Sequence, residues 1–152
     1  IVEVAGHVRR AFNDDAIEKC TFVPIPPSKA KTDPLYDDRL VRSLSAVSPA
    51  IDVRELLTIN QSMRAHHEFV PGEKRPTPDD VYKLLSIDEG ELRESVREKI
   101  ILFDDVLTNG THFKACKRRL SERLPGHAIY GVFIGRSKRP DAADEFEVII
   151  DL

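Results

Sequence analysis

Ile100, Ile101, Leu102 and Phe103 follow one another without a polar interruption, and the next two residues are Asp104 and Asp105. An apolar run this short reads as a strand, and successive strand side chains point to opposite faces of a sheet. Such a strand needs cover on both faces, the condition of a parallel sheet lying between helices. The two carboxylates mark where the strand leaves the interior. Beyond Val106 and Leu107 comes a turn of small, hydroxylated residues, Thr108-Asn109-Gly110-Thr111, and then a helical pattern. A buried strand, a polar turn and a helix make the first part of a βαβ unit.

The rest of the chain repeats that alternation. Val4, Val8, Ala11 and Phe12 lie near helical spacing and predict one helix over Val2 to Ile17, and Thr21 to Pro26 predicts a short buried strand. A second helix is expected from Pro34, with Asp33 as its cap and Asp37 and Asp38 near the positive end of its dipole. Leu40, Val41, Leu44 and Val47 would be its apolar face. Further strands are expected at Glu55 to Ile59, Lys99 to Phe103, His127 to Arg136 and, at an edge, Glu145 to Leu152. Further helices are expected at Asp79 to Leu85 and at Thr111 to Leu124, the latter stopped by Pro125-Gly126. Asp88 to Glu98 reads as a charged connection. The polar stretch from Asn60 to Pro78 lacks periodicity, and long loops inside a domain are usually functional or mobile. The expected fold class is α/β, a mostly parallel sheet flanked by helices, and such sheets bind ligands at the carboxyl ends of their strands, near a reversal of strand order.

Composition narrows the field further. With 152 residues, 41% apolar and 32% charged, the sequence suits one ordinary domain spanning 1–152. No apolar run is long enough to span a bilayer, and a net charge of −3 argues against a broad nucleic-acid surface. Two cysteines, Cys20 and Cys116, make no disulfide framework and are expected as reduced thiols, which suits the cytoplasm. Ile1 in place of Met leads to the expectation of a domain excised from a longer chain.

The loop after Phe103 carries the chemistry. A glycine turn at a helix start offers backbone N–H groups and the positive end of a dipole to a phosphate, and Thr108 and Thr111 add hydroxyls. Asp104 and Asp105 repel a phosphate, so they must serve hydroxyl groups or a metal attached to it. A sugar phosphate satisfies both halves. Because side chains alternate along a strand, a bend is expected before both acids can meet one ligand. A second anion site is expected after the first strand, where Ser28, Lys29, Lys31 and Thr32 precede a helix start; the competing explanation is a solvated surface loop.

"ILFDDVLTNGTH" closely resembles the phosphoribosyl-pyrophosphate (PRPP) signature of type I phosphoribosyltransferases, with Asn109 standing where Thr, Ser or Ala is more usual. The resemblance implies a Rossmann-like fold, Asp104 and Asp105 on the ribose 2′- and 3′-hydroxyls, and Thr108, Asn109, Gly110, Thr111 and His112 around the 5′-phosphate. It implies pyrophosphate at Ser28 and Lys29, Mg²⁺ bound mainly through PRPP, and a flexible loop in which Arg64, His66, His67, Lys74 or Arg75 neutralises the leaving group. "VPIPPSKAKTDPLYDDRL" resembles the Pro-Val-Pro-led segment of ComF-like members, without the Gly and Asn residues usual there. The implied activity exchanges pyrophosphate for a nitrogen nucleophile at ribose C1, or the reverse, with an acceptor the sequence does not name. The alternative is a non-catalytic module that binds PRPP or a nucleotide and signals to attached domains or partners, and a homo-oligomer is a further expectation for either reading. Lys114, Lys117, Arg118 and Arg119 are expected as a solvated helix face, His112 and His127 as local hydrogen-bonding residues.

Overall fold

Two short helices, not one, open the chain in a computed structural model that describes residues 2–64 and 73–137. Helix α1 spans Val2–Ala11 and α2 spans Asp14–Lys19. Between them the Asn13 side chain accepts the Ala16 N–H at 2.8 Å, which starts a new helix where the old one would have continued. Strand β1 (Cys20–Pro24) follows, buried at every position.

The next helix, α3, spans Arg39–Ser45 and so begins five residues later than the sequence suggests. Asp33 does cap, but it caps a turn. Its Oδ1 accepts the Leu35 N–H at 2.9 Å, its Oδ2 accepts the Ser62 hydroxyl at 2.6 Å, and its carbonyl accepts the Tyr36 N–H at 2.9 Å. These bonds hold the segment before α3 as a loop. Strand β2 (Asp52–Val53) is too short to leave a pattern, and β3 (Leu57–Ile59) covers the second half of the expected Glu55 to Ile59 strand. Helix α4 (Pro78–Leu84) starts at a capping box made by Thr77 and Asp80. Strand β4 (Leu85–Ile87) follows directly, where the sequence pattern places Leu85 in the helix and assigns no element to Ser86 and Ile87. Strand β5 is Lys99–Leu107, helix α5 is Thr111–Arg123 and strand β6 is Ala128–Arg136. The strand expected at Glu145 to Leu152 lies outside the described residues.

Four strands form one parallel sheet in the order β2-β1-β5-β6. Strands β3 and β4 pair separately and antiparallel, so "ELLTI" does not join the main sheet. The chain is thus mixed α/β with a parallel central sheet flanked by helices. From β1 it moves to one side to make β2, then passes to the other side to make β5 and β6. The reversal of strand order lies between β1 and β5.

Alternation along β1 and β5 sorts the core into two layers. Cys20, Phe22, Ile101 and Phe103 pack with Val8, Phe12, Ile17 and Leu44 of the amino-terminal helices and α3. Val23, Ile100 and Leu102 pack on the other face with Val81, Ala115, Cys116 and Leu120 of α4 and α5 and with the β3–β4 pair. The continuous apolar run at residues 100–103 is explained by this double cover. Helix α5 comes close to β6 at Gly131, where a Cβ would stand 2.6 Å from the Phe113 ring. Cys20 and Cys116 are both free and buried, in opposite layers. Among the described residues no helix is long and apolar enough to cross a membrane.

Candidate functional site

At the reversal of strand order, the carboxyl ends of β1 and β5 open onto a cavity of about 380 Å³. Its wall is built from residues 24–29 after β1, residues 35–41 leading into α3, Glu55 and Leu57 after β2, and residues 104–106 with Thr108 and His112 from β5 and its loop. The volume lies in the range of small-molecule sites.

Strand β5 does not end before the acids, as the sequence suggests, but continues through both to Leu107. Its register with β6 runs Asp104↔Phe133 and then Val106↔Gly135. By strand alternation Asp104 belongs to the α5 face, where its charge helps to raise the thiol pKa of buried Cys116 after burial itself. Asp105 belongs to the α3 face, and its Oδ2 accepts from Arg39 Nη2 at 2.6 Å. The Asp105 N–H turns to Asp104 Oδ1 at 2.9 Å. The two acids therefore straddle the end of the sheet, and both line the cavity because it wraps that end. The bend expected between them is not required.

The electrostatics of the pair are unequal. Burial first, and then the charge of Asp105, push the Asp104 carboxyl up to about 7, while the Asp105 N–H and the Arg39 charge pull the other way. Asp104 is therefore the acid whose protonated form the site favours.

Gly110 takes the left-handed conformation, with φ 70° and ψ 9°, at the cap of α5. The preceding Asn109 Oδ1 accepts the Thr111 N–H at 3.2 Å and fixes the turn. The turn starts a thirteen-residue helix four residues after the end of β5, and a helix start is a favourable place for an anion. Thr108 and His112 line the cavity, and Asn109, Gly110 and Thr111 form the turn that joins them.

On the opposite wall Ser28 and Lys29 both line the cavity. Their loop is tied down by the Met63 N–H on the Ser28 carbonyl at 2.7 Å, the Ala30 N–H on Ser62 Oγ at 3.0 Å, and Lys29 Nζ on the Met63 carbonyl at 3.5 Å. Lys31, grouped with them by sequence, is engaged elsewhere: it pairs with Glu55 Oε2 at 3.2 Å. Glu55 Oε1 accepts the Tyr36 hydroxyl at 2.6 Å, and burial followed by this carboxylate raises the Tyr36 pKa.

Of the loop cations, Arg64 pairs with Glu73 at 3.2 Å, and Arg64, Lys74 and Arg75 all stand outside the cavity wall. His66 and His67 lie outside the described residues. The basic face of α5 is only partly solvated. Arg118 and Arg119 stack on Tyr82 of α4 at 4.2 and 3.9 Å, the Tyr82 hydroxyl donates to Glu122, and Arg118 also meets Asp79 at 3.0 Å. That cluster joins two helices. Arg39, Tyr36 and Glu55 are the wall residues that sequence reasoning missed. Glu55 carried no usable signal, because the two-residue strand it follows leaves no pattern, and Arg39 looked like one more helical surface residue.

No protein-family model, curated protein or solved structure matches this chain.

Proposed function

We propose that this chain binds PRPP at the cavity between β1 and β5 and acts as a type I phosphoribosyltransferase-like, Rossmann-like domain. One observation carries the reading: two adjacent carboxylates and a glycine-turned helix start meet at one cavity, at the strand-order reversal, facing a loop with Ser28 and Lys29. Asp104 and Asp105 hold the ribose 2′- and 3′-hydroxyls. Residues Thr108 to His112 surround the 5′-phosphate, and Ser28 and Lys29 meet the pyrophosphate.

In the reaction, the acceptor nitrogen forms a bond to ribose C1 as the bond from C1 to the pyrophosphate oxygen breaks. The leaving group departs with the electron pair, and the acceptor gives up a proton. Charge builds on the ring as an oxocarbenium-like species and on the leaving oxygens, so positioning and charge stabilisation carry the rate. Asp104 and Asp105 fix the ring, and Lys29 offsets the charge on the departing group. Magnesium fits this cavity as a companion of the ligand. It would be held largely by the ligand's own oxygens, with the carboxylates of Asp104 and Asp105 as hard oxygen donors nearby, and would offset charge on the departing pyrophosphate. Among the described residues no group of three or more His, Cys, Asp and Glu could hold a metal alone.

Calorimetry with PRPP and Mg²⁺, together with pyrophosphate release across a panel of free bases and amines, tests the reading. Binding with turnover supports an enzyme. Binding without turnover for any acceptor supports a regulatory module, and absence of binding rejects both.

A further inference from the structure

Arg39 is the cavity-wall residue whose position the phosphoribosyl reading leaves unexplained. It stands at the first position of α3, 66 residues from Asp105 in sequence, yet its guanidinium meets that carboxylate at 2.6 Å. The side chain is 60% exposed and Asp105 is 37% exposed, so packing does not lock the pair in place. A second carboxylate lies within reach, with Asp37 Oδ2 at 3.6 Å from Arg39 Nε. Asp37 also accepts the Arg39 backbone N–H at 2.9 Å, which fixes the start of α3 independently of where the guanidinium points. Asp38, the other neighbouring acid, is engaged by Arg42 at 2.7 Å.

Two acids on adjacent residues leave excess negative charge at the end of β5, and the Arg39 guanidinium offsets it. A diol ligand changes this balance. Its hydroxyls donate to Asp105, whose lone pairs are then shared, while any anionic group attached to the same sugar brings new acceptors into the same cavity. A planar, five-donor cation is well suited to follow the stronger anion.

We propose that Arg39 is a ligand-binding residue that exchanges partners, releasing Asp105 to the sugar hydroxyls and turning to the diphosphate carried on the anomeric carbon. This rests on the phosphoribosyl reading and adds the residue that couples its two halves. It also defines a preference: the site favours sugars bearing both a free vicinal diol and an anomeric diphosphate over sugars bearing the diol alone.

The test compares PRPP with ribose 5-phosphate, which lacks the anomeric diphosphate, by calorimetry with Mg²⁺ on the wild-type chain, Arg39→Gln and Arg39→Lys. Arg39→Gln is expected to weaken PRPP binding at least tenfold while ribose 5-phosphate binds equally well or more tightly, because a competitor for Asp105 has gone. Arg39→Lys should fall between the two for PRPP. Equal effects on both ligands, or unchanged or tighter PRPP binding in Arg39→Gln, overturn the exchange. Failure of the wild-type chain to bind either ligand overturns the underlying reading instead. Thermal unfolding of each variant, read alongside, separates a loss of contact from a loss of fold.

Discussion

The parallel sheet carries carboxylates and arginines at both of its ends, and the two ends treat them differently. At the amino end, Asp52 accepts the Thr21 hydroxyl at 2.6 Å and Arg54 Nε at 2.8 Å, and meets Arg97 Nε at 3.9 Å. Arg97 goes on to the carbonyls of Ile17 at 2.6 Å and Ala50 at 3.1 Å, and Arg54 to those of Glu91, Glu94 and Ser95. The side chains of Asp52 and Arg54 are only 15% and 13% exposed. That network is closed, its donors used to tie the charged connection before β5 to β1 and β2. At the carboxyl end the same residue types face a cavity: Asp104 and Asp105 crowd each other, and one arginine attends them from an exposed position. A satisfied network stabilises, whereas a crowded and open one holds chemical potential for a ligand. The contrast predicts that the amino end governs stability and the carboxyl end governs binding.

The strongest challenge to that division is the pair Asp104→Asn with Asp105→Asn. Each carboxylate lost removes charge-assisted hydrogen bonds worth roughly 1.5–3 kcal/mol to a bound diol. PRPP affinity should fall about a thousandfold while the urea midpoint holds or rises, because the pair's repulsion disappears. Retained affinity measured by calorimetry would refute the assignment of the acids.

Asp52→Ala is the converse. It leaves Arg54 and Arg97 without their shared carboxylate and removes the acceptor of the Thr21 hydroxyl, which keeps only the Arg97 N–H at 2.9 Å, a loss of about 3 kcal/mol for a nearly buried charge network. Urea unfolding should show this as a lower midpoint at an unchanged slope, with ligand affinity per folded molecule intact. A variant that unfolds normally but binds poorly would dissolve the distinction between the two ends.

The closed network also shows what was legible in the sequence. The buried strand at residues 100–103, helix α5 and β6 could be read because their apolar patterns are long and their ends carry turn residues, and the turn within "DDVLTNGTH" could be read because Asn109 and Gly110 are turn residues directly before a helical pattern. Strand β2 could not, since Asp52-Val53 is held by pairing with Thr21-Phe22 and not by any pattern of its own. The late start of α3 was hidden for a related reason: Asp33 has the right residue type for a helix cap, but Ser62, distant in sequence, captures its carboxylate. Arg39 joined the site through a contact spanning 66 residues, and no local signal announces such a contact.

Protonation offers a third probe, smaller than the first two. Asp104 has its folded-state pKa raised to about 7, against roughly 3.9 when unfolded. The folded chain therefore binds more protons than the unfolded one between those values, and the contribution of Asp104 to stability is lost as pH rises from about 4 to about 7. After allowance for partial solvent access, the difference between wild type and Asp104→Asn should change by on the order of 2 kcal/mol across that window and then level off. Diol binding runs the other way, because ligand hydroxyls donate to the ionised acid: affinity should rise from pH 6 to pH 8 in the wild-type chain. A flat pH profile for both quantities would mean that Asp104 is an ordinary exposed carboxylate.

The smallest effect concerns the turn. A Cβ at Gly110 would meet only Leu107 Cδ1, at 3.8 Å, so Gly110→Ala creates no clash. The cost comes from the backbone, since φ of 70° is disfavoured for alanine by about 1 kcal/mol. Relaxation of that strain would rotate the first turn of α5, the proposed phosphate contact, and leave the acids on β5 where the sheet holds them. Gly110→Ala should therefore weaken ribose 5-phosphate several-fold more than ribose, while stability drops only slightly. An equal loss for both sugars would place the phosphate elsewhere in the cavity and leave the acids as the only part of the carboxyl end tied to binding.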